Sequence, residues 1–352
     1  REIKQIKNEN IKLPIDFMHR NKVRKDDLKK IIKNFKKLKV LILGDLIIDE
    51  YINCSPLGMS QEEPSLVVTP IDYNKFIGGA GIVACHAEGL GANSNFISVS
   101  GIDDETVFAK KNLTKSNVNH QIIADSTRTT TLKQRFRANG KSLLRVCKLD
   151  QQGISKKIQK NIFNKIKKII NEIDLLVFSD FNYGCLPQEL LTKIIKLAKS
   201  KKILTVADSQ SSSQIGDISR FRDMDMITPT EREARISSRN NEDGLVVLAD
   251  QLRLISNSKN ILLKLGEDGL LIHCVNKEKI GSFMTDQIPA LNINAKDVAG
   301  AGDSLLITSA MSMASGGNIW QSACLGSIAA AIQVSRIGNT PLSYNELLEV
   351  FD

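Results

Sequence analysis

A chain of 352 residues, 42% hydrophobic and 25% charged, is long enough to bury one large α/β core or two ordinary ones. No apolar run reaches the ~18 to 20 residues of a membrane-spanning helix, and no signal-type stretch opens the chain, so a cytoplasmic address without membrane insertion is expected. The formal charge of +9 lies wholly in residues 1–39, where 14 Lys and Arg stand against 5 Asp and Glu; the remainder balances 34 against 34. With only Phe17 and Phe35 as aromatics in the basic stretch, no nucleic-acid partner is expected. Cys54, Cys85, Cys147, Cys185, Cys274 and Cys324 form no C-x-x-C pair, which argues against a zinc site or a disulfide framework.

Residues 1–24 show little periodicity and read as an arm or linker. Leu28, Ile31, Ile32, Phe35 and Leu38 then fall at helical spacing, with Asp26 and Asp27 at the start and lysines at the end, as the helix dipole favours. Residues 1–39 are therefore taken as a basic arm with one amphipathic helix; the opening Arg1 leaves room for a fused domain upstream. From Val40, β-rich runs at 40–44, 96–100, 175–180, 203–208, 224–229 and 261–266 alternate with helical stretches at 154–171, 187–200, 243–257 and 318–334. Buried strands alternating with helices predict a three-layer α/β sandwich with a mostly parallel central sheet. Residues 51–74 and 122–149 carry strand-like runs without helices and are assigned to a small β-sheet at one edge of a single 40–352 domain.

The most informative run is Asp297-Val298-Ala299-Gly300-Ala301-Gly302-Asp303-Ser304, followed by small and apolar residues. Glycines at the mouth of a helix let main-chain N–H groups approach an anion, and the helix N-terminus adds roughly half a positive charge. Asp303 in the first turn would then take a proton from an attacking hydroxyl, while Gly300, Ala301 and Gly302 hold the charge on a phosphoryl group.

This run resembles the signature of the ribokinase-like (PfkB) sugar kinases. Gly44-Asp45, Gly78-Gly79-Ala80, Leu90-Gly91-Ala92, Gly101-x-Asp103-Asp104, Thr228-Pro229-Thr230-x-x-Glu233 and Lys264-x-Gly266-Glu267-Asp268-Gly269 follow in that family's order. Gly44-Asp45-Leu46-Ile47-Ile48-Asp49-x-Tyr51, Met59-Ser60-Gln61-Glu62-Glu63-Pro64, Thr131-Leu132-Lys133-Gln134-Arg135, Leu143-Leu144-Arg145 and Ser179-Asp180-Phe181 are similar to the D-glycero-D-manno-heptose-7-phosphate kinases. The resemblance implies ATP and magnesium as cofactors and phosphorylation of the anomeric hydroxyl of a heptose 7-phosphate, on the way to nucleotide-activated heptose. It also implies a β-lid that closes over the sugar and pairs with a second subunit.

Carried onto this sequence, the resemblance gives Asp45, Gly78, Gly79 and Asp180 to the sugar. Lys133, Arg135 and Arg145, as cations on the lid, suit the phosphate the sugar already carries. Glu233 organises magnesium and its waters, and Thr230, Lys264, Gly266, Gly269, Gly326 and Ser327 border the nucleotide. Some positions depart from the pattern: Ile82 replaces an asparagine after the double glycine, the lysines usual after the fifth- and sixth-strand aspartates are absent, Asp180 being followed by Phe181-Asn182-Tyr183-Gly184 and Asp208 by Ser209-Gln210-Ser211, Thr230 replaces an asparagine, and Ile307 stands where a small residue is common. A kinase for a different sugar or sugar phosphate, or a non-catalytic binding protein of the same fold, remains open at this point.

Overall fold

The computed structural model describes residues 11–211, 215–276 and 283–351. In chain order its strands are β1 (Lys39–Gly44), the long pair β2 (Leu46–Met59) and β3 (Leu66–Gly79), β4 (Asn93–Ser100), β5 (Asn119–Ala124), and the hairpin β6 (Thr131–Ala138) and β7 (Lys141–Lys148). There follow β8 (Leu175–Asp180), β9 (Leu204–Ser209), β10 (Met226–Ile227), β11 (Asn260–Lys264), β12 (Leu270–Val275) and β13 (Phe283–Ile288). Nine of these form one sheet in the order β13-β12-β11-β10-β9-β8-β1-β4-β5, parallel from β11 to β5, with β12 and β13 antiparallel at one end. The sheet is buried on both sides because its apolar residues alternate: Val40, Ile42 and Val177 face one layer, Leu41, Leu43, Leu176 and Phe178 the other. Helices Ala80–Gly89, Ala301–Ala314 and Ile319–Val334 cover the first face; Lys156–Ile169, Gln188–Ser200 and Leu245–Ser256 cover the second.

A second sheet, in the order β3-β2-β6-β7, rises from the end of β1. Its assignment shifts from the sequence reading at both boundaries. Residues 46–52 already belong to β2 and are buried at its base, whereas residues 122–124 belong to β5 of the main sheet. β5, β12 and β13 are also strands that the sequence did not single out.

The stretch 11–24 is not a free linker. Ile15–Arg20 forms a short helix whose Phe17 and Met18 are buried, with the Phe17 ring edge-on to Trp320 at 6.2 Å. The backbone N–H of Lys12 donates to Leu291 O at 3.0 Å, and Arg20 pairs with Asp286 of β13 at 2.9 Å. A one-and-a-half-turn helix is too short to print a periodicity, and so the segment looked featureless. The following helix, Lys25–Asn34, buries Leu28, Ile31 and Ile32 and turns Lys25, Lys30 and Lys33 outward.

Candidate functional site

A cavity of about 560 Å³ opens where the small sheet meets the carboxyl ends of the parallel strands, the place where open α/β sheets bind ligands. Its floor is the turn Val298–Gly302 entering the Ala301–Ala314 helix. Gly300 has φ 77° and is the residue before the helix; a side chain there would start 2.6 Å from Asn339 Oδ1, so both conformation and space call for glycine. No side chain caps this terminus, and the N–H groups of Gly302 and Asp303, by their place in the first turn, lack an intrahelical acceptor. Asp303 is buried with its Oδ1 accepting a hydrogen bond from Gln210 Nε2 at 3.0 Å. Burial, reinforced by the negative charge of Asp208 and opposed by Lys264, pushes the Asp303 carboxyl up to about 7.

Three strand ends converge on this acid. From the end of β9, Asp208 is fully buried and takes both its oxygens to Lys264 Nζ, at 3.0 and 2.9 Å. Burial pushes Asp208 up to about 6 although Lys264 works the other way; burial would lower Lys264, but Asp208 and Glu233 outweigh it and hold the ammonium above its ordinary value. A side chain at Gly302 would begin 3.4 Å from the Lys264 ammonium, so that cation lies beside the glycine turn. After β10, Thr230 caps the Glu231–Ser238 helix with Glu233 in a reciprocal box, its hydroxyl accepting from the Glu233 N–H at 3.3 Å. Glu233 Oε2 accepts from Thr230 N at 2.7 Å and Oε1 from Ser211 N at 2.8 Å.

The opposite end of the cavity is built by the small sheet. Asp49 on β2 is buried and bonded through Oδ2 by Asn339 Nδ2 at 3.0 Å. A side chain at Gly78 would collide with this carboxylate, a close approach that only glycine allows. Burial holds Asp49 above the usual carboxylate range, with Lys133, Arg135 and Arg145 pulling it down. Lys133 lies over the rings of Phe181 and Tyr183 at 4.8 and 5.2 Å, and Arg135 over Tyr51 at 5.5 Å. Among the described residues, Arg135 Nε, Ser327 Oγ and Asn339 Oδ1 are buried without a hydrogen-bond partner, polar valences that a ligand in the cavity can fill.

The structure brings most of the sequence-selected residues to this cavity: Gly79, Lys133, Arg135, Arg145, Thr230, Glu233, Lys264, Gly266, Gly269, Gly300, Ala301, Gly302, Asp303 and Ser327 all line it. It keeps four away from the cavity wall. Asp45 turns its carboxylate to the loop after β8, accepting from the N–H groups of Phe181 (2.7 Å), Cys185 (3.2 Å) and Tyr183 (3.4 Å), and burial beside Asp180 pushes it up to about 6. Asp180 is held by Ser209 Oγ and by Arg220, each at 2.9 Å. Gly78 sits behind Asp49, and Gly326 packs against Ser309 of the neighbouring helix, which makes it a helix-crossing residue. Ile82 and Ile307 are core residues. Conversely, Asp49, Asn339 and Gln210 line the cavity and were not selected, although Asp49 stood in plain view four residues after Asp45.

Among the described residues no group of three or more His, Cys, Asp or Glu side chains is arranged to hold a metal ion by itself. Glu233, which lines the cavity, fits magnesium in the manner usual for that ion, which keeps several waters and rests on one or two carboxylates together with substrate phosphates, whereas Asp208 is fully buried with both oxygens on Lys264.

Residues 37–345 match the family model described as pfkB family carbohydrate kinase. Among known proteins the chain is 29% identical over 321 residues to the bifunctional protein HldE of Helicobacter hepaticus, covering 89% of this chain and 64% of that protein. It is 30% identical over 326 residues to the bifunctional protein HldE of Sulfurimonas denitrificans, covering 91% and 65%. The chain thus spans a little under two thirds of the length of these relatives. Phosphofructokinase-2 from Escherichia coli, solved in complex with substrates and products, superposes with a TM-score of 0.68 at 16% identity over 89% of this chain and 98% of that one. Ribokinase from Thermotoga maritima gives 0.66 at 21% over 89% and 99%; the likeness establishes a ribokinase-like fold.

Proposed function

The chain belongs to the pfkB family of carbohydrate kinases, and from that premise we propose that it moves the terminal phosphoryl group of ATP to the anomeric hydroxyl of a heptose 7-phosphate, giving the 1,7-bisphosphate. One observation carries the reading: a single cavity holds a buried acid on a glycine turn at one end and a carboxylate among three cations at the other. Asp303 takes the proton of the attacking hydroxyl, and Lys264 with the N–H groups of Gly302 and Asp303 meets the charge on the phosphoryl oxygens. Asp49, oriented by Asn339, accepts from sugar hydroxyls, and Arg135, Arg145 and Lys133 hold the phosphate already present. Gly266, Gly269 and Ser327 border the nucleotide. Glu233 would hold magnesium through waters, and the ion would supply charge neutralisation on the polyphosphate. The reading covers the portion that the chain shares with its longer relatives.

The small sheet exposes Leu57, Met59, Leu66, Ile71, Tyr73 and Leu144, and β3 and β7 are its open edges. Apolar exposure on that scale supports pairing of two chains lid to lid. A different sugar phosphate is the second reading, favoured by Gln210 and Tyr183, since Gln210 is bonded to Asp303 and Tyr183 lies under Lys133 instead of adding charge. ADP release from ATP and magnesium over a panel of sugars and sugar phosphates tests both. Turnover on D-glycero-D-manno-heptose 7-phosphate above every other acceptor supports the first reading; turnover only on another sugar phosphate selects the second; none on any acceptor overturns the kinase.

A further inference from the structure

Gln333 has no part in the reading above, yet it is a fully buried amide near the end of the Ile319–Val334 helix, where the other buried positions are small or apolar. A buried amide is costly unless its polar atoms are bonded. Its Nε2 donates to two main-chain carbonyls on different loops, Gly338 O at 3.0 Å and Ala299 O at 3.3 Å. Its Oε1 accepts from Arg336 Nε at 3.3 Å, and Arg336 is itself held by Glu346 at 3.0 Å. That contact fixes which way the amide points, because the flipped group would set an oxygen against two carbonyls and an NH₂ against a guanidinium.

Asp297 completes the arrangement from the other side. Its Oδ1 accepts from Ala299 N at 3.1 Å and its Oδ2 from Gly338 N at 3.0 Å. The residues 299 and 338 are therefore each tied at N–H and at C=O, by one side chain that only accepts and one that donates. Ala299 leads directly into Gly300, and a side chain at Gly300 would start 3.3 Å from Gln333 Nε2. Asp297 Oδ2 also accepts from the Tyr51 hydroxyl at 2.8 Å, and Tyr51 stands on β2 with its ring under Arg135 and Arg137.

We propose that Gln333 and Asp297 form a two-sided clamp that sets the position of the Gly300–Asp303 turn, making Gln333 a positioning residue for phosphoryl transfer, with Tyr51 joining the clamp to the small sheet. This rests on the kinase reading. Misplacement of a reacting group by about an ångström costs on the order of a hundredfold in rate, which sets the scale. Gln333→Met keeps the length and removes the donor. Its kcat is expected to fall about tenfold to a hundredfold, with the KM for the sugar phosphate unchanged and ADP, titrated calorimetrically, binding more weakly. Gln333→Glu, which faces two carbonyls with an acceptor, should fall further.

A merely structural glutamine would lower the melting temperature and leave kcat and ADP affinity of the folded protein unchanged; that result overturns the clamp. Should Gln333→Met not fold, Tyr51→Phe decides, since it removes one donor to Asp297 and retains the ring: a drop in kcat of a few-fold is expected, and wild-type kcat and ADP affinity contradict the proposal. Absence of turnover in the wild type would remove the kinase reading alone, because the ADP titration of the variants still tests the clamp.

Discussion

The two ends of the cavity are made differently. At the phosphoryl end, Asp208, Glu233, Lys264 and Asp303 come from the ends of main-sheet strands and from two helix entries; Asp208, Glu233 and Asp303 are buried, Lys264 is half-buried, and each has a protein partner. At the other end, Asp49, Lys133, Arg135 and Arg145 come from a four-stranded sheet that exposes Leu57, Ile71 and Leu144, and the Arg135 Nε is without a partner among the described residues. The contrast separates two tasks. On the kinase reading, the groups proposed to act on the phosphoryl are held by main-sheet strand ends and helix entries, and those proposed to choose the acceptor sit on a smaller sheet with exposed apolar residues.

If the division holds, changes at the first end lower kcat and changes at the second raise KM. The largest effect is expected from Asp303→Asn, which loses the base: kcat falls about 10²- to 10⁴-fold in ADP-release assays with both KM values near wild type. Lys264→Met comes next and strikes stability as well, since removing one member of a buried ion pair costs about 3–5 kcal/mol; the double variant with Asp208→Asn should recover melting temperature and not activity. Arg135→Met should raise the KM for a phosphorylated acceptor about tenfold or more, on the order of a charged bidentate contact, and leave an unphosphorylated analogue unaffected. Equal losses on both acceptors would erase the distinction between the ends. The smallest effect is expected at the dimer: Leu144→Asp should move the sedimentation coefficient toward a monomer with kcat changed about twofold or less if the lid pairing lies outside the chemistry.

The sequence made the phosphoryl end legible because its signal is local. Gly300, Gly302 and Asp303 lie within four residues, and a glycine turn before a small-residue helix carries its own mechanism. Lys133, Arg135 and Arg145 were likewise visible as cations on strands flanking a hairpin. Asp49 and Asn339 were not, because the bond between them spans 290 residues and exists only through topology. Asp45 shows the limit of position along a strand: leaving the same β1 exit as Asp49, it met three N–H groups of the β8 loop and was absorbed by them, and nothing local distinguishes the two carboxylates. Gln333 was hidden for a similar reason, since its partners Ala299 and Gly338 are main-chain atoms that no motif describes. In the fold, strands buried on both faces were readable from their apolar runs, whereas β5 and β13 carry polar or exposed residues that blur the pattern; β12 is itself a buried run, LLIHCV, interrupted only by His273.

The central claim is that Asp303 is the proton acceptor, and its environment makes a prediction that the Asp303→Asn variant separates from the raised carboxyls of Asp45 and Asp208. Facing Asp208, Asp49, Lys264 and Lys133 in a buried site, its carboxyl is pushed up to about 7, and a base works only when deprotonated. The pH profile of kcat/KM for the preferred acceptor should therefore rise tenfold per pH unit below about 7 and level off above it, with that limb absent from the residual rate of Asp303→Asn. A profile flat from about pH 5.5 to 8, or the same limb surviving in Asp303→Asn, would contradict the account.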